Sequence, residues 1–497
     1  MSSKAKHKRI PAPSPTRLRL ATATAAAAAL TGGLFVATAG SASAATAQVA
    51  ASDADFNGDG LADVAVSASN AYVNGKAQAG QVSVLYGGGK HATISQNTAG
   101  VPGTAEAGDY FGGDTAYGDF DGDGYDDLAV GASGEDVGSD KDGGTVAVLW
   151  GSPNGLTGGT TVTDPRASAH DHFGAILQAA DLDGDHKADL AVATPNSATV
   201  DVLRGGSLRA GGKNGAYTVS APVWSGSGDG IRNLHSGDIN GDGIDDLLVN
   251  GFEKDTDDAW DANFYLPGTS SGVKATGYVK LPAGIITDVG DVDGDGKGDV
   301  VIGVAWDATT GVPGSQKGGA VRIAHGSASG PVTSGVQTID QDTAGVPGGG
   351  ENGDAFGAEL DLGDVNGDGR LDLVVGTPGE DLDGITNAGA ITVLYGSADG
   401  SGITGTGAKF YSQDTPGVPN SNEKNDYFGT DVHVDDLDGD GRGDVVVGAS
   451  GENGDNGAVY ALHSNTNDTL SSSAGIYTST LGISTSGTPL LGQNFSD

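Results

Sequence analysis

The stretch DFDGDGYDD at residues 119–127 decides the fold, because its pattern recurs along the chain. The pattern D-x-[DN]-G-D-x-x-x-D occurs seven times in 497 residues, at near-regular spacings of 53 to 73 residues. One such string is plausible by chance, but seven in an array indicate an internal repeat. The seven copies begin at Asp55, Asp119, Asp181, Asp238, Asp291, Asp364 and Asp436.

Each acidic stretch is followed directly by a short, apolar, largely β-branched run, such as Val300-Val301-Ile302. Such runs, bounded by Gly or Asp, are typical of buried strands. A second run follows after a loop of variable length and stops at a glycine, as in Thr145 to Trp150 before Gly151. Each repeat therefore contains an acidic loop followed by two predicted strands.

In four copies a Phe-Gly pair precedes the acidic loop, which adds an inner strand. With the turn after the third strand, each repeat predicts a four-stranded antiparallel blade. One blade cannot bury both faces, whereas a radial array can. We therefore predict an all-β, seven-bladed β-propeller over residues 45–497. The predicted blades span approximately 45–109, 110–171, 172–229, 230–282, 283–354, 355–426 and 427–497.

The Phe-Gly pairs, the acidic loops and endings such as Gly376-Thr377-Pro378 resemble the FG-GAP repeat of integrin α-subunit propellers and their secreted bacterial relatives. The pairs are Phe111-Gly112, Phe173-Gly174, Phe356-Gly357 and Phe428-Gly429. Blades four and five lack the pair, so their inner strands are less defined. Residues 46–54 can supply the inner strand of blade one, and the C-terminal Leu490 to Phe495 also resembles an inner-strand start, so either the two termini overlap to close the ring or one of them is frayed.

The acidic loops predict up to seven structural Ca²⁺ ions. Hard cations take six to eight oxygen ligands, and Asp alternating with Gly supplies them. In the second loop Asp119, Asp121 and Asp123 offer carboxylates, Asp127 closes the site, and the Tyr125 carbonyl adds an oxygen. The FG-GAP resemblance implies the same ligand set. Mg²⁺ fits less well because it demands stricter octahedral geometry. The predicted ligands are Asp55, Asn57, Asp59, Leu61, Asp63, Asp119, Asp121, Asp123, Tyr125, Asp127, Asp181, Asp183, Asp185, Lys187, Asp189, Asp238, Asn240, Asp242, Ile244, Asp246, Asp291, Asp293, Asp295, Lys297, Asp299, Asp364, Asn366, Asp368, Arg370, Asp372, Asp436, Asp438, Asp440, Arg442 and Asp444.

One loop departs from the pattern. His186 stands where the other six loops have Gly, at a position that we expect to adopt a positive φ. We expect this third site to be the most strained.

Charge and composition limit the compartment and the partners. The net charge is −40, which disfavours nucleic acid and anionic membranes. Residues 1–44 combine a basic start, an Ala-rich run and Ala42-Ser43-Ala44, the pattern of a signal peptide cleaved after Ala44. We expect a secreted protein without membrane insertion. The chain has no cysteine, so calcium takes the stabilising role that disulfides often have outside cells.

The sequence favours a recognition or adhesion module over an enzyme. We expect a monomer that binds an extracellular protein or glycan through the face opposite the calcium loops, where Trp260, Trp306 and Tyr72 are candidate contacts. The alternative is an extracellular carbohydrate-active hydrolase or lyase. No catalytic residue stands out, because Glu135, Glu380 and Glu452 occupy equivalent repeat positions.

Overall fold

A computed structural model describes residues 54–169, 171–226, 230–254, 260–472 and 474–495. Within these ranges 28 strands form seven antiparallel sheets, which are the blades of a propeller. The predicted fold is confirmed. The predicted signal peptide, residues 1–44, lies outside the described residues. No helix in the described part of the chain is both long and apolar enough to span a bilayer.

The strands follow one another around the ring, blade by blade. Blade one contains β1 (Val64–Ala68), β2 (Gln81–Tyr86) and β3 (Lys90–Ile94). Blades two and three contain β4 (Phe111–Gly118), β5 (Asp127–Ala132), β6 (Thr145–Trp150), β7 (Thr157–Val162), β8 (Ile176–Ala180), β9 (Asp189–Ala193), β10 (Thr199–Leu203) and β11 (Tyr217–Ser220). Blades four and five contain β12 (Ile231–Gly237), β13 (Asp246–Phe252), β14 (Asp261–Leu266), β15 (Val279–Ala283), β16 (Ile286–Gly290), β17 (Asp299–Val304), β18 (Ala320–Ala324) and β19 (Gln337–Ile339).

Blades six and seven complete the ring. They contain β20 (Glu359–Gly363), β21 (Asp372–Thr377), β22 (Ala390–Gly396), β23 (Ile403–Tyr411), β24 (Phe428–Asp435), β25 (Asp444–Ala449), β26 (Ala458–Ser464), β27 (Leu470–Ser471) and β28 (Ile476–Tyr477). The short helices of the described residues are α1 (Glu452–Asp455), α2 (Thr478–Leu481) and three single 3₁₀ turns at Gly87–Gly89, Leu208–Ala210 and Ala308–Thr310. In blade seven two short strands, β27 and β28, pair with β26 in place of one outer strand.

The hydrophobic core lies between blades rather than within one. Seven large clusters of buried side chains each join two neighbouring blades, and the one holding Val66, Val446 and Phe495 joins blade seven to blade one. Every residue of the second strand β5 is buried, whereas the outer strand β7 is mostly exposed. Inner strands are thus apolar on both faces because a blade covers each face.

The four Phe-Gly pairs anchor the inner strands of blades two, three, six and seven on the preceding blade. The Phe side chains of the four pairs are buried, and Gly429 has a φ of 83°. A Cβ at Gly429 would lie 2.4 Å from the Ala390 carbonyl oxygen of the preceding blade. Only glycine accommodates both the left-handed backbone and the close approach.

The C-terminal segment closes the ring by imitating this pair. Leu491 and Gly492 pack on blade seven as the other pairs pack on their neighbours, and Gly492 has a φ of 81°. Phe495 then pairs with Val66 of blade one, and the Ser67 N–H donates to the Asn494 carbonyl. Ala54 accepts a hydrogen bond from the Asp63 N–H, so both ends of the described chain reach the inner edge of blade one. The rest of the predicted strand over 46–54 lies outside the described residues.

Candidate cation sites and the opposite face

The acidic loops share one hydrogen-bonded frame. In all seven, the carboxylate of the first residue accepts the main-chain N–H groups of the fifth and sixth residues, as Asp119 does from Asp123 and Gly124. The loop thus curls around its first carboxylate. His186 has a φ of 66°, so the predicted positive φ is confirmed.

The ninth residue of each loop ties the site to the third strand. In every blade its Oδ1 accepts the N–H of a residue at the end of that strand or one or two positions after it, at 2.8–2.9 Å. In five loops its Oδ2 also accepts the N–H of the loop's second residue. These ninth carboxylates, such as Asp127 and Asp299, are at most 1% exposed.

Burial and crowding make these carboxylates costly to ionise without a counter-charge. The pKa of Asp127, Asp246 and Asp372 is raised to about 8, because burial and the neighbouring loop carboxylates raise it more than main-chain hydrogen bonds lower it. Asp63 follows the same pattern, with a pKa of about 7. A cation held among these oxygens would favour their charged form and lower the pKa values.

The donor atoms lie close enough to share one ion. Ligand atoms within 4.8 Å of one another occur in the triads Asp119–Asp121–Asp127, Asp181–Asp183–Asp185 and Asp291–Asp293–Asp295. A set of three or more carboxylates at this spacing fits a hard divalent cation. These acidic clusters can hold a metal ion. The main-chain carbonyls of the seventh residues, from Leu61 to Arg442, remain predicted ligands.

Main-chain hydrogen bonds join neighbouring loops at six of the seven junctions between blades. The N–H of a loop's eighth residue donates to the carbonyl of the first residue in the preceding blade's loop. Six junctions have this bond, at 2.7–3.2 Å, including the closure. The pairs are Asp126–Asp55, Ala188–Asp119, Asp245–Asp181, Gly298–Asp238, Gly443–Asp364 and Ala62–Asp436.

Basic side chains form ion pairs with carboxylates of four loops. In the fifth and sixth these are the loops' own seventh residues, Lys297 with Asp295 and Arg370 with Asp368, and in the second and third they come from outside the loop. Arg204 forms an ion pair with Asp183 in the third loop, and Arg209 forms one with Asp121 in the second. The Lys187 ammonium donates to the Asp121 carbonyl oxygen. Asp183 is 4% exposed in its side chain, so the guanidinium neutralises a buried carboxylate.

Histidines enter the fifth and seventh loops. His325 Nδ1 lies 3.3 Å from Asp293 Oδ2 and 3.2 Å from Asp299 Oδ1. His463 Nδ1 lies 2.8 Å from Asp444 Oδ2, and that hydrogen bond raises the pKa of the imidazole. Arg204, His325 and His463 share one sequence position: each comes immediately before the residue whose N–H donates to the ninth carboxylate of its loop. We did not predict these residues as part of the sites, although that shared position was a signal in the sequence.

Antiparallel strands place the two kinds of loop at opposite ends of each blade. The acidic loops and the turns after the third strands form the lower face, and the loops after the second strands, with the blade-to-blade connections, form the upper face. On the upper face three identical pairs brace neighbouring blades: Gln96–Glu135, Gln341–Glu380 and Gln413–Glu452, each at 2.7 Å. The three glutamates are thus structural elements of repeated loops.

The upper edge of blade four gathers aromatic side chains. Trp224 is 47% exposed, and its main-chain N–H donates to the Phe252 carbonyl. Arg232 lies over the Phe252 ring at 4.2 Å, and the Glu253 N–H donates to the Trp260 carbonyl. Of the predicted contacts, Trp306 packs on the core between blades four and five. Trp224 was not predicted, because its exposure depends on the fold.

Comparison with known families agrees with the repeat. The FG-GAP repeat family matches residues 47–85, 111–149, 356–394 and 428–462, and the FG-GAP-like repeat family matches residues 181–249.

The relatives share only part of their length with this chain. The mouse phosphatidylinositol-glycan-specific phospholipase D is 34% identical over 146 residues, covering 29% of this chain and 17% of the relative. The Drosophila melanogaster integrin alpha-PS2 is 30% identical over 250 residues, covering 44% of this chain and 16% of the relative. The chain thus spans less than a fifth of these curated relatives. A solved Agrocybe aegerita lectin, described as recognising non-reducing terminal N-acetylglucosamine, is 16% identical, with a TM-score of 0.48 over 87% of this chain and 94% of its own.

Repeat pattern, blade geometry and family matches agree: the protein is a seven-bladed β-propeller that carries FG-GAP repeats and is similar to integrin α-subunits.

Proposed function

We propose that the protein is a secreted, calcium-stabilised recognition module that binds an extracellular protein or glycan through its upper face. The observation that carries this proposal is the division of labour between the faces. The lower face is built from seven equivalent acidic loops, whereas the upper-face loops between the second and third strands range from five residues in blade three (194–198) to 15 in blade five (305–319).

Calcium supports the scaffold in this proposal. At millimolar Ca²⁺ and a dissociation constant near 10⁻⁴ M, each loop adds roughly 1.4 kcal/mol to the folded state. Seven loops would add roughly 10 kcal/mol, comparable to the net stability of a domain. This contribution suits a secreted chain without cysteine.

The upper edge of blade four is our candidate contact surface. Trp and Arg are the residues that most often dominate binding energy at interfaces, and Trp224 and Arg232 lie on this edge. Trp224 is 47% exposed, so part of its apolar surface faces water. Covering that surface with a partner would be favourable. The variable loops of a rigid scaffold are the usual place for such contacts.

The test is a protein and glycan array probed with and without calcium. We expect calcium-dependent binding that Trp224→Ala abolishes. The matched control is Tyr278→Ala: Tyr278 is 49% exposed but lies on the strand end at the lower face, so its loss should leave binding unchanged. Binding that survives Trp224→Ala would contradict the proposed contact surface. The absence of binding to any protein or glycan on the array would contradict the recognition function.

The enzyme alternative has its own test. Hydrolysis of a polysaccharide by the purified protein, abolished by Glu380→Gln, would replace the recognition function with catalysis. Because Glu380 pairs with Gln341, we expect this variant to alter only the brace between blades five and six.

A further inference from the structure

We propose that the loops of blades five and seven are mixed nitrogen–oxygen sites that bind Zn²⁺ in preference to Ca²⁺, with His325 and His463 as ligands. The inference deepens the proposed function and rests on it, since it assumes that the acidic loops bind cations. It divides the seven loops into two classes of different metal selectivity.

The blade five site has the required geometry. His325 Nδ1 lies 3.2–3.3 Å from one oxygen of Asp293 and one of Asp299, and all three atoms fall within 4.8 Å of one another. The Nδ1 atom is buried and makes no hydrogen bond, although the imidazole is 37% exposed. A buried ring nitrogen facing two carboxylates is placed as a ligand to a shared ion, and the exposed ring edge leaves a route from solvent.

Blade seven repeats the arrangement independently. His463 Nδ1 lies 2.8 Å from Asp444 Oδ2 and 3.7 Å from Asp438 Oδ2, and the three residues form a second close triad. Asp438 and Asp444 occupy the same loop positions, third and ninth, as Asp293 and Asp299. Two blades with different surroundings thus bring the same three donor types together.

Ligand chemistry separates these sites from the others. Imidazole suits zinc, whereas Ca²⁺ takes oxygen ligands. Zinc also needs only four ligands, which one histidine and the loop carboxylates supply. At the equivalent position blades one and six have Tyr86 and Tyr395, blade two has Trp150, blade three has Arg204 and blade four has Pro267. None of these five side chains is a ligand that zinc prefers.

The experiment is equilibrium dialysis of the purified protein against calcium with limiting zinc, followed by metal analysis and zinc X-ray absorption spectroscopy. We expect two zinc ions per chain to persist in excess calcium, with imidazole scattering in the spectrum. His325→Gln and His463→Gln should each lose one zinc, and the double variant both, while bound calcium does not fall. The control His172→Asn removes a histidine of the upper face, opposite the acidic loops, and should keep both zinc ions.

The outcomes separate this inference from the proposed function. If calcium binds but zinc retention is unchanged in the double variant, or the spectrum shows only oxygen neighbours, the mixed sites are wrong and the calcium scaffold stands. If neither metal is retained by the wild-type protein, the proposed cation binding fails and this inference fails with it.

Discussion

The acidic loops of blades three and five share one backbone frame and differ in the side chain that faces it. In both, the first carboxylate accepts the same two N–H groups, and the ninth accepts an N–H just after the end of the third strand. In blade three Arg204 brings its own positive charge to Asp183. In blade five His325 offers a nitrogen. The shared backbone fixes where the carboxylates gather, and the residue that faces the third and ninth positions differs between the two loops.

Removing calcium should have the largest effect and should separate the two loops. We expect a chelator to lower the melting temperature by about ten degrees, given roughly 8 kcal/mol from the six loops in which Arg204 does not replace the ion. Hydrogen exchange should rise more in the loop at 291–299 than in that at 181–189, because Arg204 remains in place after chelation. A fall of only a degree or so would remove the calcium argument, and equal exchange would break the comparison.

The second-largest effect should be that of pH on the melting temperature of the protein in chelator. The pKa of Asp372 is raised to about 8 and that of Asp299 to about 6 in the folded state, so protons bind the folded form more tightly than the unfolded form. These carboxyls stabilise the chelated protein fully below pH about 4, and that contribution is lost as the pH rises through 6 to 8. The melting temperature in chelator should therefore be a few degrees higher at pH about 6 than at pH about 8.

Calcium should cancel or reverse this trend, because protons and calcium compete for the same oxygens. Scanning calorimetry across pH, with and without the ion, measures both slopes. A chelated protein that grows more stable as the pH rises would contradict the assignment of these carboxyls as its main titrating groups.

Truncating the ninth carboxylate should reveal how much of its role is structural. Asp299→Ala and Asp189→Ala each leave a buried N–H without its acceptor, which costs about 2–3 kcal/mol in chelator. In calcium, Asp299→Ala should lose roughly 1.4 kcal/mol more, whereas Asp189→Ala should lose little more. Urea unfolding in both conditions gives the calcium-dependent part for each variant. Equal calcium-dependent parts would show that Arg204 does not replace the ion.

Exchanging the facing residue should have the smallest effect on stability. Arg204→Tyr installs the residue found in blades one and six and should cost about 1 kcal/mol in chelator, because Asp183 loses its partner. It should add one bound calcium per chain. The reciprocal Tyr395→Arg should remove one, as measured by equilibrium dialysis. If neither variant changes calcium stoichiometry, the facing residue does not control occupancy.

The sequence predicts the blades well because each strand is bounded locally, by acidic residues on one side and glycine on the other. Inner strands form even in blades four and five, which lack Phe-Gly, since the neighbouring blade supplies the packing. The closing segment was harder to assign, because Leu491 stands where Phe is expected and the left-handed glycine carries the likeness.

The charge partners of the loops were beyond local patterns. Arg204 lies 21 residues from Asp183, and His325 lies 26 residues from Asp299, across a complete hairpin. Their direction depends on how the third strand ends against the loop, which composition and spacing do not determine. Sequence periodicity therefore predicts the oxygen donors of each loop but not the side chain at the end of the third strand that faces them.

The hydrophobic clusters, one at each of the seven junctions between neighbouring blades, give the propeller the mechanics of a closed hoop. An open row of elements comes apart at its weakest joint, whereas a hoop must be cut twice before any piece is released. A blade that loosens on one side is still held on the other, including at the seam where Ala62 meets Asp436. Damage to a single repeat should therefore remain local, and repeats in such a structure are free to diverge one at a time.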